Sequence, residues 1–334
     1  MVALPEAPQR TVDAVMDALV TAHYETPQAH YKGYGISVSA LGTVCDRQLW
    51  MSLRWASDGE RLTGRTLRIF RRGNEAEERI INDLRRAGLD VQDVDPATGR
   101  QWRLSIVDGW LRGRADGVIL SGVLEAPRAR HVLEIKCIKA ADWRAIQKHG
   151  LREKKPEHWH QLHMGMAALG IERGLYVAEN ADTMELLTER LHLDHEEVAR
   201  QQARVMRAVE DHEPPLGMLG DATTEIKSAK IRGAPPCRFC DHAPVCFDGA
   251  LAKRSCRTCL HWTFGADGNG HCARFDEPKT PAQQQEGARC PAHLFLPGLV
   301  AGDVIDGDSE NETITYQMRD GTEWTDGAHA PEAS

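Results

Sequence analysis

Apolar and polar positions along the chain follow two periods, one typical of helices and one typical of strands. Apolar residues at helical spacing predict helices over residues 11–23, 39–55, 67–87, 140–149, 156–169 and 195–209. Short runs rich in β-branched residues predict strands over residues 91–94, 102–107, 111–120, 132–137, 174–178 and 184–191. A helix ahead of a sheet whose later strands are joined by helices predicts a layered α/β or α+β core.

The predicted strand over residues 132–137 carries one acid and one base in an otherwise apolar run. Side chains alternate along a strand, so Glu134 and Lys136 are expected on one face and Ile135 on the other, toward the core. The preceding strand places Asp116 among apolar residues and glycines. Adjacent strands would bring Asp116, Glu134 and Lys136 to one point, which suits a divalent cation held by carboxylates beside a phosphate. A surface strand with an exposed salt bridge is the alternative.

The longest predicted helix carries several acids near its middle. Glu77 precedes Ile80 and Ile81 by three and four residues, so it is expected beside the buried stripe of the helix. A solvated acidic face suits Glu75 and Glu78 better. The helix therefore brings one carboxylate, Glu77, toward the interior.

Length and cysteine usage indicate an intracellular chain of about two domains. Its 334 residues are enough for roughly two. The first ten residues lack the apolar core of a signal peptide, and no later apolar run is long enough to span a bilayer. We therefore expect a cytoplasmic protein without a membrane partner. Nine cysteines in such a chain favour metal ligation over disulfides.

The net charge of −8 comes from the C-terminal end of the chain. Residues 301–334 hold nine acids and one base, so the first 300 residues balance, with 40 bases and 40 acids. This distribution excludes a uniformly basic nucleic-acid coat protein and allows a local basic groove. The residues expected to contact a phosphate backbone are Arg71, Arg72, Lys154 and Lys155.

A first cysteine set has the spacing C-x2-C-x5-C. It consists of Cys237, Cys240 and Cys246 in a polar stretch that begins with two prolines. Three cysteines this close indicate a metal or cluster site that needs a fourth ligand. His242 would complete a zinc site, and Cys45 would give four thiolates and an iron–sulfur cluster.

A second cysteine set follows at once around a glycine-rich hairpin. Four thiolates fill a tetrahedral zinc site, and His293 is able to replace one of them. The segment 255–295 has few other apolar residues, so a bound metal would be its main source of stability. The expected ligands are Cys256, Cys259, Cys272 and Cys290.

Together these features resemble the PD-(D/E)XK nuclease superfamily over about residues 37–246. They are most similar to the RecB-type exonucleases, which include CRISPR-associated iron–sulfur nucleases, AddB-type nuclease domains and the exonucleases of phage recombination systems. The matching motifs are Gly-x-x-x-Glu at Gly73 to Glu77, a strand Asp after a small residue at Ala115-Asp116, Glu-x-Lys at Glu134 to Lys136, and the Gln of Gln-x-x-x-Tyr at Gln161. The last motif is incomplete, because Gly165 stands where the family has Tyr.

The resemblance implies a restriction-endonuclease-like core with a mixed central sheet flanked by helices, and a divalent metal site within it. The residues implied for binding Mg²⁺ or Mn²⁺ are Glu77, Asp116, Glu134 and, through its carbonyl, Ile135. The residues implied for catalysis are Asp116, Glu134, Lys136 and Gln161. Lys136 would stabilise the attacking hydroxide or the charge that develops on the phosphate.

The resemblance also bears on the first cysteine set. Iron–sulfur members of the family place one cysteine upstream of the nuclease motifs and three downstream. The order of Cys45, Cys237, Cys240 and Cys246 matches, which implies a 4Fe–4S cluster in preference to zinc. Cys137 is expected to stay a core residue.

The implied activity is metal-dependent DNA exonuclease cleavage with 5′-phosphate products, in recombination, repair or phage DNA processing. DNA ends are then the expected substrate, and a single-strand annealing or other recombination protein is the expected partner. A sequence- or structure-specific endonuclease of the same fold and a non-catalytic DNA-binding recombination scaffold are the alternatives. An iron–sulfur redox protein lacks support, since no Gly-x-Gly-x-x-Gly follows a predicted strand.

The expected organisation has four parts. They are an N-terminal helix and linker (1–36), a nuclease core closed by the first cysteine set (37–250), a Cys-rich zinc-ribbon-like module (251–298), and an acidic tail (299–334) with a hairpin over residues 313–318 and 322–324. The last residues of the tail are expected to be disordered.

Overall fold

A computed structural model describes residues 10–26, 33–221 and 225–327. The helices are α1 (Arg10–Tyr24), α2 (Asp46–Leu53), α3 (Gly64–Arg86), α4 (Ala140–His149), α5 (Leu151–Lys154), α6 (Pro156–Leu169), α7 (His195–Glu210), α8 (Glu225–Gly233), α9 (Ala243–Phe247) and α10 (Pro281–Glu286). The strands are β1 (Ile36–Ser37), β2 (Asp90–Gln92), β3 (Val94–Asp95), β4 (Arg100–Ile106), β5 (Leu111–Ala115), β6 (Gly117–Ser121), β7 (His131–Ile138), β8 (Arg173–Asn180), β9 (Leu186–His192), β10 (Trp262–Phe264), β11 (Gly270–Cys272), β12 (Glu277–Lys279), β13 (Gly302–Asp308), β14 (Thr313–Met318) and β15 (Glu323–Gly327).

The central sheet has the strand order β2-β6-β7-β8-β9 and is mixed, as expected. Its β7–β8 pair is parallel and its other pairs are antiparallel. Both faces of β7 are covered. Leu133 and Ile135 pack in one core cluster with Ile80 of helix α3, and Val132 packs in another with Leu162 of helix α6. Two-sided burial explains why β7 is apolar almost throughout.

The stretch predicted as one strand over residues 111–120 is broken at Asp116. Strand β5 belongs to a second sheet, of order β1-β5-β4-β3, and β6 belongs to the central sheet. Glycines permit close packing on both sides of the break: a Cβ on Gly113 would collide with Val38, and one on Gly117 would lie 3.1 Å from the Gln92 carbonyl oxygen. Asp116 therefore sits at the junction of the two sheets.

The helix predicted over residues 39–55 is also interrupted, and this prediction was wrong in its middle. A 3-10 helix ends at Gly42, and α2 begins at Asp46 with Cys45 as its N-cap. In the gap, the Cys45 N–H donates to the Thr43 hydroxyl, and the Arg204 guanidinium donates to the Thr43 carbonyl. These side-chain bonds pair the Cys45 N–H and the Thr43 carbonyl, and they take the place of the backbone hydrogen bonds that a continuous helix would make.

The C-terminal segment folds against the core. The expected hairpin is present as β14 paired with β15, and β13 adds a third strand on the other edge. Tyr316 is fully buried, and Leu299 joins the main core cluster. The disorder expected for the last residues concerns 328–334, which lie outside the described residues. None of the described helices combines the length and apolar composition needed to cross a bilayer.

Candidate active site

Glu134 and Lys136 lie side by side on strand β7 and form an ion pair. The Glu134 side chain is only 3% exposed, and its partner in the parallel pairing is the fully buried Tyr176. Lys136 Nζ also donates a hydrogen bond of 3.2 Å to the Ile135 carbonyl oxygen. The alternative of an exposed salt bridge on a surface strand is therefore wrong.

Asp116 reaches the same place from the junction between β5 and β6. Its Oδ2 accepts a hydrogen bond of 2.6 Å from the Ile135 backbone N–H. Burial raises the pKa of Asp116, while the Lys136 ammonium and the Ile135 N–H oppose that rise. The structure thus brings Asp116, Glu134 and Lys136 together across adjacent strands.

Glu77 joins the group from helix α3. Burial, with a smaller contribution from Asp116, raises the pKa of Glu77 to about 7. Burial likewise raises the pKa of Glu134 to about 8, although the Lys136 ammonium opposes the rise. For Lys136, burial acts to lower the pKa, but the surrounding carboxylates outweigh it, so that the pKa is raised and the side chain stays cationic.

The arrangement is a cluster of three carboxyl groups held by one ammonium group. Among the described residues, no group of three or more His, Cys, Asp or Glu side chains is already arranged to hold a metal ion. At this cluster Lys136 bonds both the Glu134 carboxylate and the Ile135 carbonyl, two of the groups implied as metal ligands. A cation at this position would compete with the ammonium group for Glu134 Oε1 and for the Ile135 carbonyl oxygen.

His158 and Tyr176 lie next to the cluster, and neither of them was assigned a role from the sequence. His158 Nδ1 lies 2.9 Å from the Tyr176 hydroxyl, and the two rings are stacked. Burial, together with the positive charge of Lys136, lowers the pKa of His158 to about 3. Gln161 is half-buried on the same helix, three residues after His158 and so on a neighbouring position of its surface. His158 and Tyr176 lie 18 residues apart on the consecutive elements α6 and β8, and the periodicity of either element alone does not indicate that their side chains meet.

The basic residues expected to contact DNA differ in their surroundings. Arg71 and Arg72 are exposed on the N-terminal half of α3. Lys154 is paired with Glu153 at 2.8 Å. Lys155 lies 3.0 Å from Asp142 and 3.4 Å from Glu157, and only 23% of its side chain is exposed.

The first cysteine set lines one small cavity. Its volume is about 20 Å³, enough for roughly one water molecule. Burial raises the pKa of Cys240 to about 11, and the neighbouring thiols add to the rise. His242 also borders the cavity, but its Nε2 lies 2.9 Å from the Ser52 hydroxyl and its Nδ1 3.1 Å from the Ser57 hydroxyl. The cysteines lining the cavity are Cys45, Cys237, Cys240 and Cys246.

The second cysteine set lines a larger cavity of about 140 Å³. The backbone N–H groups of His261 and Leu294 donate to the Cys259 sulfur and oppose the rise in its pKa that burial causes. A Cβ on Gly287 would lie 2.7 Å from the Cys256 sulfur, so only glycine leaves that sulfur room. His293 borders the cavity, its Nδ1 is buried, and its Nε2 lies 3.3 Å from the Thr258 hydroxyl. The cysteines lining the cavity are Cys256, Cys259, Cys272 and Cys290.

Arg257, between the first two cysteines of the second set, connects this segment to the core. Its side chain is fully buried over the Trp55 ring, with 3.9 Å from Cζ to the ring centroid. Its guanidinium donates hydrogen bonds to the carbonyl oxygens of Tyr34, Leu53 and Gly268 and to the Gln284 side chain. Residues 251–298 are therefore anchored to the core by a buried cation that lies inside the cysteine motif.

Comparisons with known proteins give a weak likeness to nucleases. No protein-family model matches the chain, and no curated protein matches it. Among solved structures, an alkaline exonuclease (LHK-Exo) from Laribacter hongkongensis is 17% identical with a TM-score of 0.38, over 60% of this chain and 91% of that one.

Two further solved structures are similar at the same level. LHK-Exo in complex with dAMP is 16% identical with a TM-score of 0.37, over 65% of this chain and 94% of that one. A protein named SSO0001 is 13% identical with a TM-score of 0.37, over 71% of this chain and 96% of that one.

Proposed function

We propose that this chain is a Mg²⁺- or Mn²⁺-dependent deoxyribonuclease, an exonuclease that hydrolyses phosphodiester bonds and leaves 5′-phosphates. The observation that carries the proposal is the convergence of Glu77, Asp116 and Glu134 around Lys136 at the junction of two sheets. Buried carboxylates repel one another and lose hydration, which destabilises a fold unless a cation compensates them. Titratable groups perturbed in this way are typical of functional sites.

The donor set fits a hard divalent cation, which prefers oxygen ligands. The oxygens proposed to hold it are the carboxylates of Glu77, Asp116 and Glu134 and the carbonyl of Ile135. When bound, the cation supplies polarisation of the scissile phosphate and a lower pKa for its water. Lys136, once displaced from Glu134, presents its ammonium group to the attacking oxygen or to the charge that develops on the phosphate.

Other residues around the cluster have positioning roles in the proposal. The neutral His158 and the buried Tyr176 support Glu134 from the adjacent strand and helix. The Gln161 amide, one turn after His158, is proposed to contact the substrate. Phosphate contacts are proposed for Arg71, Arg72 and Lys154, with a smaller part for Lys155 because two carboxylates already pair with it.

The first cysteine set is proposed to hold a 4Fe–4S cluster through Cys45, Cys237, Cys240 and Cys246. Both ring nitrogens of His242 already face serine hydroxyls, which favours Cys45 over His242 as the fourth ligand. A cavity of about 20 Å³ requires the thiols to spread outward to take a cluster, whereas a single zinc ion needs less room. Metal analysis and the visible absorbance of anaerobically purified protein decide between the two.

The second cysteine set is proposed to hold Zn²⁺ through Cys256, Cys259, Cys272 and Cys290. The shared cavity, the N–H groups aimed at Cys259 and the room left by Gly287 support it. Zinc bound here would stabilise the folded form of residues 251–298, in which the Arg257 side chain is buried in the core. One equivalent of zinc that persists in a Cys45→Ser variant and is lost in a Cys272→Ser variant tests this assignment.

Incubation with Mg²⁺ and end-labelled DNA tests the activity itself. Linear DNA should be shortened from an end to products with 5′-phosphates, and covalently closed circular DNA should remain intact. Cleavage of the circle would indicate an endonuclease of the same fold, and binding without cleavage of either would indicate a recombination scaffold. The proposed setting is DNA recombination, repair or phage DNA processing, with a single-strand annealing or other recombination protein as the proposed partner.

A further inference from the structure

The N-terminal half of helix α3 packs against α1 at Gly64 and leaves two apolar side chains further along it exposed. Phe70 is 54% exposed and Ile69 is 57% exposed, whereas Ala76 and Ile80 later in the same helix are fully buried. Ile69 and Phe70 are neighbours, so the exposed apolar surface here is a pair of side chains that includes an aromatic ring, a group with a large apolar area to offer to a partner.

Phe70 is aligned with the active site. It precedes Glu77 by seven residues, which is two helical turns within about 20°, so both side chains leave the helix on the same side about 10 Å apart. Glu77 points into the carboxylate cluster, where it interacts with Asp116 and Lys136. The exposed ring thus stands beside the approach to the proposed metal site.

Gly73 lies between the two residues on the same side of the helix, one turn before Glu77. A Cβ built on it meets no atom of the described residues within 4 Å. The absence of a side chain at Gly73 lets a bound chain approach the helix backbone closely.

The charge around Phe70 favours a nucleic acid as the occupant. Residues 64–74 contain four arginines and no acid. The exposed arginines are Arg65, Arg68, Arg71 and Arg72. Guanidinium groups attract the phosphate backbone of a nucleic acid. An exposed aromatic ring beside them can stack on a base whose face is not covered by a neighbouring base.

We propose that Phe70 is a stacking platform for an unpaired base, so that the strand entering the active site over Gly73 does so single-stranded. This inference rests on the proposed nuclease function and specifies its substrate at this position. Bases of an intact duplex have no free face to offer, so the enzyme would act on single-stranded DNA or on a frayed end. A protein partner that covers Phe70 is the competing occupant.

The test uses the full chain in a Lys136→Ala background with Mg²⁺, so that DNA is bound and not cut. Single-stranded DNA carries 2-aminopurine at successive positions on either side of the cleavage site mapped with the wild-type chain. Quenching should appear at one position within a few nucleotides of that site. Phe70→Trp should keep it, and Phe70→Ala and Phe70→Leu should abolish it.

Ile69→Ala is the matched control, because Ile69 is equally exposed but leaves the helix about 100° away. It should keep the quenching. Phe70→Ala should also weaken binding of single-stranded DNA by about 5- to 150-fold, the range expected for one stacked base, and leave duplex binding unchanged.

An unchanged quenching profile in Phe70→Ala, with wild-type cleavage intact, overturns this inference and leaves the nuclease proposal standing. Absence of both DNA binding and Mg²⁺-dependent cleavage in the wild-type chain overturns the two together. Unchanged DNA binding in Phe70→Ala, combined with loss of a copurifying protein, assigns the surface to a protein partner and overturns the stacking role.

Discussion

The Lys136 ammonium group bonds the carboxylate of Glu134, its neighbour two residues back on the same face of β7. It also bonds the carbonyl of Ile135, the residue between them. One monovalent cation thus neutralises part of a buried carboxylate cluster at the position where the proposal places a divalent one. In the proposed mechanism Lys136 would therefore stabilise the carboxylates before a metal binds and assist the reaction afterwards.

Replacing Lys136 with Ala should abolish cleavage and spare DNA binding. Loss of a group that stabilises transition-state charge typically lowers the rate by about 10²- to 10³-fold. Binding should persist because the basic residues on α3 remain. Single-turnover cleavage and a filter-binding assay measure the two effects.

Lys139→Ala is the matched control for Lys136→Ala. Lys139 lies just past the end of the same strand, and its side chain is 71% exposed beside Asp142. This variant should cleave at the wild-type rate. Cleavage by Lys136→Ala within a factor of two of wild type would remove Lys136 from the mechanism.

Mg²⁺ affinity should increase with pH between about 6 and 8.5. Burial raises the pKa of Glu77 to about 7 and that of Glu134 to about 8, so both are largely protonated at pH 6 and must lose protons to bind a cation. Calorimetry in two buffers of different ionisation enthalpy should detect proton release on Mg²⁺ binding near pH 7. An affinity independent of pH over this range would contradict the raised pKa values.

The raised pKa of Glu134 also determines how the folding stability should change with pH when no metal is added. The folded chain holds a proton on Glu134 up to a pKa of about 8, whereas an unfolded Glu loses it near its ordinary value of 4.5. The contribution of Glu134 to stability is therefore fully present below pH 4.5 and decreases as the pH rises to about 8. The Tm of wild type relative to Glu134→Gln, measured in EDTA, should decrease over that interval.

The sequence predicted which side chains come together at the candidate site better than it predicted the course of the backbone that brings them together. Strand periodicity placed Glu134 with Lys136, and helical periodicity turned Glu77 inward; both rules are local and both agree with the structure. The break at Asp116 depends on contacts of Gly113 with Val38 and of Gly117 with Gln92, which are distant along the chain.

Other departures have the same physical origin. The break ahead of α2 depends on Arg204, about 160 residues away in sequence, which donates to the carbonyl of Thr43. The pairing of His158 with Tyr176 spans only 18 residues, but it depends on how helix α6 packs on strand β8, which the periodicity of neither element specifies. Tertiary contacts of this kind override local propensity and leave no periodic signal.

Replacing Arg257 with Met should destabilise the whole chain. The buried guanidinium bonds three backbone carbonyl oxygens and one side-chain oxygen, and its removal leaves buried acceptors unpaired at about 1–3 kcal/mol each. The expected loss is at least about 3 kcal/mol in the free energy of unfolding.

Urea denaturation measures this loss, with Arg289→Ala as the control at an exposed position of the same segment. Arg289→Ala should lie within about 0.5 kcal/mol of wild type. A change of less than about 1 kcal/mol in Arg257→Met would contradict the anchoring role.

A Cys45→Ser variant should lose the metal centre of the first cysteine set. Cys45 lines the cavity with Cys237, Cys240 and Cys246, so its loss leaves three thiolates. Iron and acid-labile sulfide, or zinc, should fall to a small fraction of the wild-type content. Cys137→Ser should keep the full content, because Cys137 lies beside Glu179 with its sulfur 3.7 Å from Oε1. Equal metal in both variants would contradict the assignment.

The most direct test of the central claim compares wild type with Glu134→Gln on end-labelled linear DNA. Gln keeps the shape of the buried side chain and removes the charge that the proposed cation requires. We predict products with 5′-phosphates for wild type only when Mg²⁺ or Mn²⁺ is present, and at least about a 100-fold slower rate for Glu134→Gln at equal DNA binding. Cleavage by wild type in EDTA, or at the wild-type rate by Glu134→Gln, would contradict it.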